Sequence, residues 1–235
     1  MKGQMALEFM IVISVGLLLL VPIAFYGFSS YNDNVKVSLA TNAVSAITNN
    51  VDKIYSFGPG SETTVTLTMP DGINLNKTNI AGKVATIGVQ LSNGGTTEIT
   101  SRSKTLMIGY LPNSSGIFKV KLRALRNGSV QVGEILRGTP NVINKVISPN
   151  NPEIFTLSNE APSTFGNVNN ITLVAEGRVA DIINNLSPNS IFSLPPSTDI
   201  RINFKNSVPS GTYDGMIFVN SSNGGEVQVY LNVTL

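Results

Sequence analysis

The sequence predicts an α+β protein in which one long N-terminal hydrophobic α-helix precedes an all-β outer region. Two observations carry this prediction. Residues 9–32 contain no charged side chain, and most of them are apolar, which is typical of a helix that is apolar on all sides. Beyond Gly60 the apolar residues recur at every second position, and Gly, Asn and Pro interrupt them at short intervals, which is typical of β-strands joined by turns.

The composition excludes several classes of function. The 235 residues include no Cys, no His and no Trp, so the chain has no Ser-His-Asp triad, no thiol nucleophile and no Cys/His zinc site. Only 13% of the residues are charged, and the net charge of +2 gives no general case for nucleic acid. We therefore expect no enzymatic activity, no cofactor and no metal.

The apolar run Phe9–Phe28 is long enough to cross a membrane. Its 20 residues span roughly 30 Å as a helix, the thickness of a bilayer core. Pro22 should kink this helix or loosen one of its turns. Phe25 and Tyr26 lie with Phe28 at the far end, where an interfacial aromatic belt is expected.

The helical pattern continues beyond the apolar run. One apolar stripe recurs at helical spacing, at Val35, Leu39, Ala43, Ile47, Val51 and Ile54. Gly58-Pro59-Gly60 ends the pattern, so we expect one helix to about Phe57, roughly 80 Å long. A cleaved secretory signal peptide has no use for such an extension, whereas a membrane anchor could have one.

The extreme N-terminus carries a short motif. Lys2-Gly3-Gln4 is followed by the lone carboxylate of Glu8, directly before the apolar run. Together with that run and its amphipathic extension, this motif resembles archaeal type IV pilins with a class III signal peptide. The resemblance covers residues 2–57 and only in general style the remainder.

The resemblance implies a processed filament subunit. Residues 1–3 would be a leader removed by a membrane peptidase between Gly3 and Gln4, and residues 4–57 would be the assembly helix. The new α-amine of Gln4 would then pair with Glu8 of a neighbouring copy and set the register of assembly, because an unpaired charge in a dry core costs several kcal/mol. The alternative is a solvated Glu8 at the membrane surface.

The outer region reads as short strands. We predict strands over 64–69, 83–91, 96–100, 105–110, 117–125, 129–135, 153–158, 171–176, 179–183, 199–204, 213–220 and 226–235. Asn93-Gly94-Gly95, Asn127-Gly128 and Asn223-Gly224-Gly225 predict hairpin turns. The segment Arg137–Pro152 is rich in Pro, Asn and Gly and indicates a boundary.

We expect two β-sandwich modules, at 61–136 and 140–235, of which the second is the more Ig-like. A single merged sandwich is the alternative.

One strand carries a row of cations. Lys119, Lys121 and Arg123 alternate with apolar residues, and Arg126 extends the row. We expect a solvated outer face. An anionic glycan, nucleic acid or a neighbouring subunit are the other candidate partners, although no aromatic residues interleave to stack on bases.

Seven Asn-X-Ser/Thr triplets are candidate N-glycosylation sites. Their acceptors are Asn76, Asn113, Asn127, Asn170, Asn185, Asn220 and Asn232. We expect some of them to carry glycans on an exported chain.

Together these observations predict a structural subunit of an archaeal type IV pilus-like surface filament, with a main, minor or adhesive role left open. Its partners would be copies of itself or other pilins, the leader peptidase, the assembly machinery and, before assembly, the cytoplasmic membrane; nucleic acid is not expected. One alternative is a monomeric membrane-anchored surface protein that binds a glycan or an S-layer partner. Another is an archaellin-type subunit.

Overall fold

A computed structural model of the chain describes residues 2–147, 151–162, 165, 167–222 and 225–234, with side chains described from residue 9 onward. One helix, α1, spans Lys2–Ser56. Eight strands follow: β1 Glu62–Met69, β2 Ile73–Ala81, β3 Val84–Gln90, β4 Thr96–Arg102, β5 Leu106–Gly109, β6 Gly116–Ala124, β7 Ser129–Val132 and β8 Leu136–Thr139. Eight more complete the described chain: β9 Val142–Val146, β10 Glu153–Asn159, β11 Asn169–Gly177, β12 Ile183–Ser187, β13 Ser190–Ser193, β14 Ser197–Phe204, β15 Thr212–Asn220 and β16 Glu226–Thr234. The predicted α+β class, with a long apolar helix before a β-rich region, is confirmed.

Helix α1 is a single α-helix of 55 residues, about 82 Å long at 1.5 Å per residue. It remains α-helical on both sides of Pro22. Proline has no amide hydrogen, so the carbonyl of Leu18 has no intrahelical donor four residues later. The helix ends at Ser56, one residue before the end predicted at Phe57. Two residues after Ser56, Gly58 takes a positive φ of 91°.

Two sheets, here called the proximal sheets, pack against the second half of α1. One has the strand order β1-β6-β7-β5 and the other β2-β3-β4. A single buried cluster joins them to the helix. Its members on α1 are Ala40, Ala43, Val44, Ile47, Val51 and Ile54. Leu67, Ile87, Leu122 and Val132 from the strands fill the same cluster. This half of the helix is therefore part of the protein's own core.

Two further sheets, here called the distal sheets, enclose a second core. They have the strand orders β12-β14-β10-β8 and β13-β11-β15-β16-β9. Buried side chains from both sheets form one cluster, including Phe155 and Ile200 from the first and Ile217 and Val229 from the second, so the sheets pack face to face as a sandwich.

The chain changes sheets within the first few residues of the distal sandwich. Strand β8 pairs antiparallel with β10 in one sheet, and β9 then pairs parallel with β16 in the other. Gly138 in β8 lies against the other sheet, because a Cβ at this position would come within 2.8 Å of the Val229 side chain. The segment that the sequence indicates as a boundary, 137–152, therefore contains strand β9 and most of β8.

Most predicted strands are present, with several differences. The run 179–183 is wrong as a strand, because Arg178–Asp181 forms a 3₁₀-helix and a strand begins only at Ile183. Strands β2, β8, β9, β12 and β13 were not predicted. The Asn93 and Asn127 turns join antiparallel pairs as expected. Strands β15 and β16 also pair antiparallel, although residues 223–224 of their predicted turn lie outside the described residues.

Candidate functional site

The first part of α1, here called the apolar segment (Phe9–Tyr31), is not covered by any part of the chain that the structure describes. Exposed fractions are 67% for Phe9, 73% for Leu18 and 76% for Phe28, and Pro22 is also exposed. None of its most apolar stretch is buried within the protein. By length and composition, this helix can cross a membrane.

The rest of the helix, here called the docked segment (Asp33–Ser56), begins where the β3–β4 turn reaches α1. The Asp33 carboxylate accepts hydrogen bonds from the Ser92 amide at 2.9 Å and from the Ser92 hydroxyl at 2.8 Å. One turn later, the Lys36 ammonium donates to the Gln90 carbonyl at 3.5 Å. The change from exposed to docked helix therefore coincides with the first charged residues after the apolar run.

A second carboxylate fixes the other end of the same hairpin. Asp52 Oδ1 accepts hydrogen bonds from the Ser103 hydroxyl at 2.6 Å, the Lys104 amide at 2.9 Å and the Thr105 amide at 3.3 Å. Between the two carboxylates, the Thr48 hydroxyl bonds to that of Ser101 at 2.8 Å. These polar contacts set the sheet at one position along the helix, which the apolar contacts alone would not specify.

For the residues predicted to act in processing and register, the structure describes the backbone only. Gly3, Gln4 and Glu8 lie in the helical part of the chain, but their side chains lie outside the described part. Cleavage after Gly3 and the register role of Glu8 stay predictions.

The cationic row on β6 is not simply a solvated face. Lys119 is exposed as expected. Lys121 forms an ion pair with Glu62 at 2.8 Å, and Arg123 contacts the same carboxylate. Three of the four cations thus form ion pairs within the chain. Lys121 and Arg126 are still 37% and 50% exposed, whereas Arg123, at 14%, departs from the expected solvated face.

Arg126 reaches across to the distal sandwich. Its Nη1 lies 2.8 Å from Glu176 Oε1, and its guanidinium carbon lies 3.6 Å from the centre of the Phe218 ring. The Phe218 ring is almost fully buried, although Phe218 is not a member of the core cluster of the distal sandwich. A cation over an aromatic face and an ion pair to the same guanidinium favour one placement of the distal sandwich relative to the proximal sheets.

Further contacts join the proximal sheets to the distal sandwich, a region here called the junction, and several of them involve backbone groups. Arg123 Nη1 donates to the Glu226 carbonyl at 2.7 Å, and the Glu226 amide donates to Gln131 Oε1 at 3.2 Å. The Tyr110 hydroxyl donates to the Glu134 carbonyl at 3.0 Å, and its ring packs edge-on against Phe165 at 5.9 Å between centroids.

The pKa values of Glu62 and Tyr110, both near the junction, are shifted from their ordinary values. Partial burial raises the pKa of Glu62, but hydrogen bonds and charges from Lys121 and Arg123 outweigh it, so the pKa lies below its ordinary value. Burial raises the pKa of Tyr110 and prevails over the opposing hydrogen bond to Glu134. Both groups therefore keep their usual charge state near neutral pH.

The seven candidate glycosylation sites all lie on the surface. The acceptor side chains of Asn76, Asn113, Asn127, Asn170, Asn185, Asn220 and Asn232 are exposed. Asn127 Oδ1 accepts from the Ser129 hydroxyl of its own triplet at 2.6 Å, and Asn185 accepts from Asn203 at 2.7 Å. Exposure permits modification at every one of them.

Within the part of the chain that the structure describes, no group of three or more acidic, His or Cys side chains could hold a metal ion.

Comparison with known proteins identifies no family for this chain. No protein-family model matches the chain, and no curated protein matches it. Among solved structures, it is similar to the secreted serine protease VesC from Vibrio cholerae, with 13% identity and a TM-score of 0.28. The match covers 78% of this chain and 48% of that one, so the chain spans about half the length of the protease. A likeness at this level carries no argument about function.

Sequence reasoning missed the two docking carboxylates. No local pattern distinguishes Asp33 and Asp52 from the other polar residues of α1, and only their contacts with the β3–β4 hairpin and the residues that follow it single them out. Arg126 was singled out, but its Phe218 partner lies 92 positions away in the chain, where no local pattern could indicate it.

Proposed function

We propose that this protein is a non-enzymatic structural subunit of a type IV pilus-like surface filament. One observation carries the proposal: a single unbroken helix is an exposed apolar rod over its first half and part of a folded core over its second half. Such a helix joins the β-rich region formed by β1–β16, here called the head, rigidly to the apolar segment, here also called the rod. A rigid connection suits a subunit that must transmit force along a polymer.

A simple membrane anchor has less need of this arrangement. An anchor works equally well through a flexible linker, because it only has to keep the head at the membrane. Here the helix passes directly from Tyr31 to the docked segment, and Asp33 and Asp52 fix the sheet to it. Rigidity of this kind is useful when many copies must repeat the same geometry.

The apolar segment suits both of the states that we propose for the subunit, first in the membrane and then in the filament. Apart from the Leu18 carbonyl, which has no donor at Pro22, its backbone groups pair within the helix, so it is stable in lipid before assembly. In a filament, the same exposed side chains would pack against those of other copies. The resemblance of Lys2-Gly3-Gln4 and Glu8 to pilin processing sites supports removal of residues 1–3 between these stages.

We infer that the distal sandwich is Ig-like. Its sheets, β8-β10-β14-β12 and β9-β16-β15-β11-β13, correspond to the two sheets of that architecture, with the first strand divided between them. Near the start of β15, the Tyr213 hydroxyl donates to the Pro209 carbonyl at 2.9 Å, as in the tyrosine corner of Ig-like domains. This sandwich would coat the filament surface.

Filament imaging combined with N-terminal sequencing tests the proposal. Surface material sheared from cells that produce the chain should contain filaments, and the subunit purified from them should begin at Gln4. The Leu18→Asp variant should be made and inserted poorly and should give no filaments, whereas the head variant Lys119→Ala should assemble normally. Full-length monomers that begin at Met1 and remain in the membrane would refute the proposal and favour the surface anchor.

The membrane-anchored binding protein remains the second candidate, because one helix of spanning length is also all that an anchor needs. Under that function, cells would carry the chain as separate molecules, and replacing Glu8 by Gln would leave its amount and location unchanged.

A further inference from the structure

A polar cleft lies where the proximal and distal sheets meet, and nothing above gives it a function. Its volume is about 570 Å³, within the range of small-molecule binding sites. One wall carries Glu62, Lys121 and Arg123, and the other carries Arg137, Gln228 and Tyr230. The cleft is here called the junction cleft.

The walls of the junction cleft are held in place by bonds within the protein. Glu62 lies between Lys121 and Arg123, and Arg123 also donates to the Glu226 carbonyl. On the facing wall, Arg137 Nη2 lies 2.7 Å from Glu134 Oε2. These ion pairs restrict the orientations of the charged groups before a ligand arrives, which reduces the entropic cost of binding.

One aromatic ring opens into the same cleft. Tyr230 is 46% exposed, and its hydroxyl donates to Gln228 Oε1 at 3.0 Å. The Gln228 amide in turn donates to Glu226 Oε1 at 3.2 Å, so the ring is held by a chain of hydrogen bonds. A fixed ring beside planar polar side chains offers an apolar face together with several hydrogen-bonding groups, which matches the C–H faces and hydroxyls of a sugar.

The charge of the lining favours an acidic ligand. Lys121, Arg123 and Arg137 supply three positive charges against the two carboxylates of Glu62 and Glu134. The side chains of Lys121 and Arg137 are 37% and 52% exposed. Lys121 pairs with Glu62, and Arg137 pairs with Glu134 at 2.7 Å and with Glu160 at 3.7 Å, so each cation keeps N–H donors beyond these contacts. These remaining donors are available to a carboxylate from outside.

We propose that the junction cleft binds a carboxylated oligosaccharide, with Tyr230 stacking on a sugar ring and Lys121 and Arg137 pairing with its carboxylates. The proposal does not depend on filament assembly, because every residue that it uses belongs to one chain.

Glycan binding by the full-length protein in detergent micelles tests this directly. The probes are immobilised oligosaccharides that contain hexuronic or sialic acid, each beside a neutral oligosaccharide of the same length. We expect acidic members to bind above their neutral counterparts, with affinity that falls as salt rises. Failure of every acidic member to bind, or equal binding of the neutral ones, would overturn the proposal.

Variants then locate the binding site, with titration calorimetry on the best acidic probe. Tyr230→Ala should weaken binding about tenfold, and Tyr230→Phe should bind nearly as well as the parent because the ring remains. Arg137→Ala should also weaken binding and flatten its salt dependence. Phe192→Ala removes another exposed aromatic from the same sheet, outside the cleft, and serves as the matched control.

The thermal unfolding midpoint of each variant shows whether it is folded. If Tyr230→Ala proves unfolded, Tyr230→Leu and Arg137→Ala provide the same comparison. Unchanged affinity in folded Tyr230 and Arg137 variants would place the binding elsewhere and exclude the junction cleft.

Discussion

The apolar segment and the docked segment belong to one helix but meet opposite surroundings. Leu18, in the more hydrophobic segment, is 73% exposed, whereas Ile47, in the less hydrophobic one, is fully buried. The difference lies in how the apolar residues are distributed around the helix. A helix that is apolar on one side can be completed by a sheet of the same chain, but a helix that is apolar on all sides needs lipid or other helices around it.

Polar contacts mark the border between the two segments more sharply than hydrophobicity does. The hydrogen bonds of Asp33 to Ser92 begin two residues after Tyr31, the last large residue of the exposed run. Small residues then let the strands approach the helix closely, since Ala40 is fully buried and Ala43 nearly so.

The largest expected contrast between the segments comes from truncating one apolar side chain in each. Ile47→Ala should lower the free energy of unfolding of the head by about 2–5 kcal/mol, because it leaves a cavity in a packed core. Leu18→Ala should leave the stability of the head unchanged. Chemical denaturation of the full chain in detergent measures both, and equal effects would contradict the division of the helix.

Removing the polar contacts should have a smaller effect. Asp52→Ala leaves the Ser103 hydroxyl and the Lys104 amide without their acceptor, whereas the Thr105 amide keeps its bond to Ser103 Oγ at 2.9 Å. The change should destabilise the head by about 1–3 kcal/mol. Lys53→Ala, one residue along on an exposed position, is the matched control and should change the stability little. Denaturation midpoints under identical conditions give the comparison.

The border itself can be tested at Asp33. Asp33→Ala should free the β3–β4 turn, so the amide of Ser92 should exchange with solvent at least about tenfold faster, because that amide loses its acceptor. Amides of the helix near Ile47 should keep their slow exchange. Hydrogen exchange followed by mass spectrometry would show whether loosening stops at the turn or spreads into the docked segment.

The smallest expected effect is a pH dependence of the stability of the head. The pKa of Glu62 in the folded state lies below its ordinary value of about 4.5, so its stabilising contribution is complete above that pH and is lost as the pH falls through the folded-state value. Because Glu62 is more than a third exposed, the contribution should be below about 1 kcal/mol. Between pH 7 and pH 3, the parent should lose slightly more stability than Glu62→Gln, as followed by thermal unfolding.

Several parts of the fold could be predicted because their signals are local. The uniform apolar run, the stripe through Ile47 and the Asn-Gly turns each depend on residues a few positions apart. The final strand is equally clear, since Val227, Val229, Leu231 and Val233 are buried and the residues between them are not.

Other parts could not be predicted because their stabilising partners are remote. Strand β9 lies in a segment rich in Asn and Pro, and its strand partner in the described part of the chain, β16, is more than 80 residues further along. Strand β2 is largely polar, and its pairing with β3 shifts register between Asn74 and Asn79, so no alternation is visible. The apolar run after Gly177 resembles a strand, but its first residues form a 3₁₀-helix in which Val179 is buried in the distal core.

The sequence by itself determined that the chain has a rod and a β-rich head, because hydrophobic periodicity is a property of neighbouring residues. It also determined where the rod is apolar on all sides. Only the tertiary structure decided which length of the helix the head would cover, how Asp33 and Asp52 would fix it, and that the cations of β6 would form a junction. Those outcomes depend on contacts between residues far apart in the chain, whose geometry exists only once the sheets have formed.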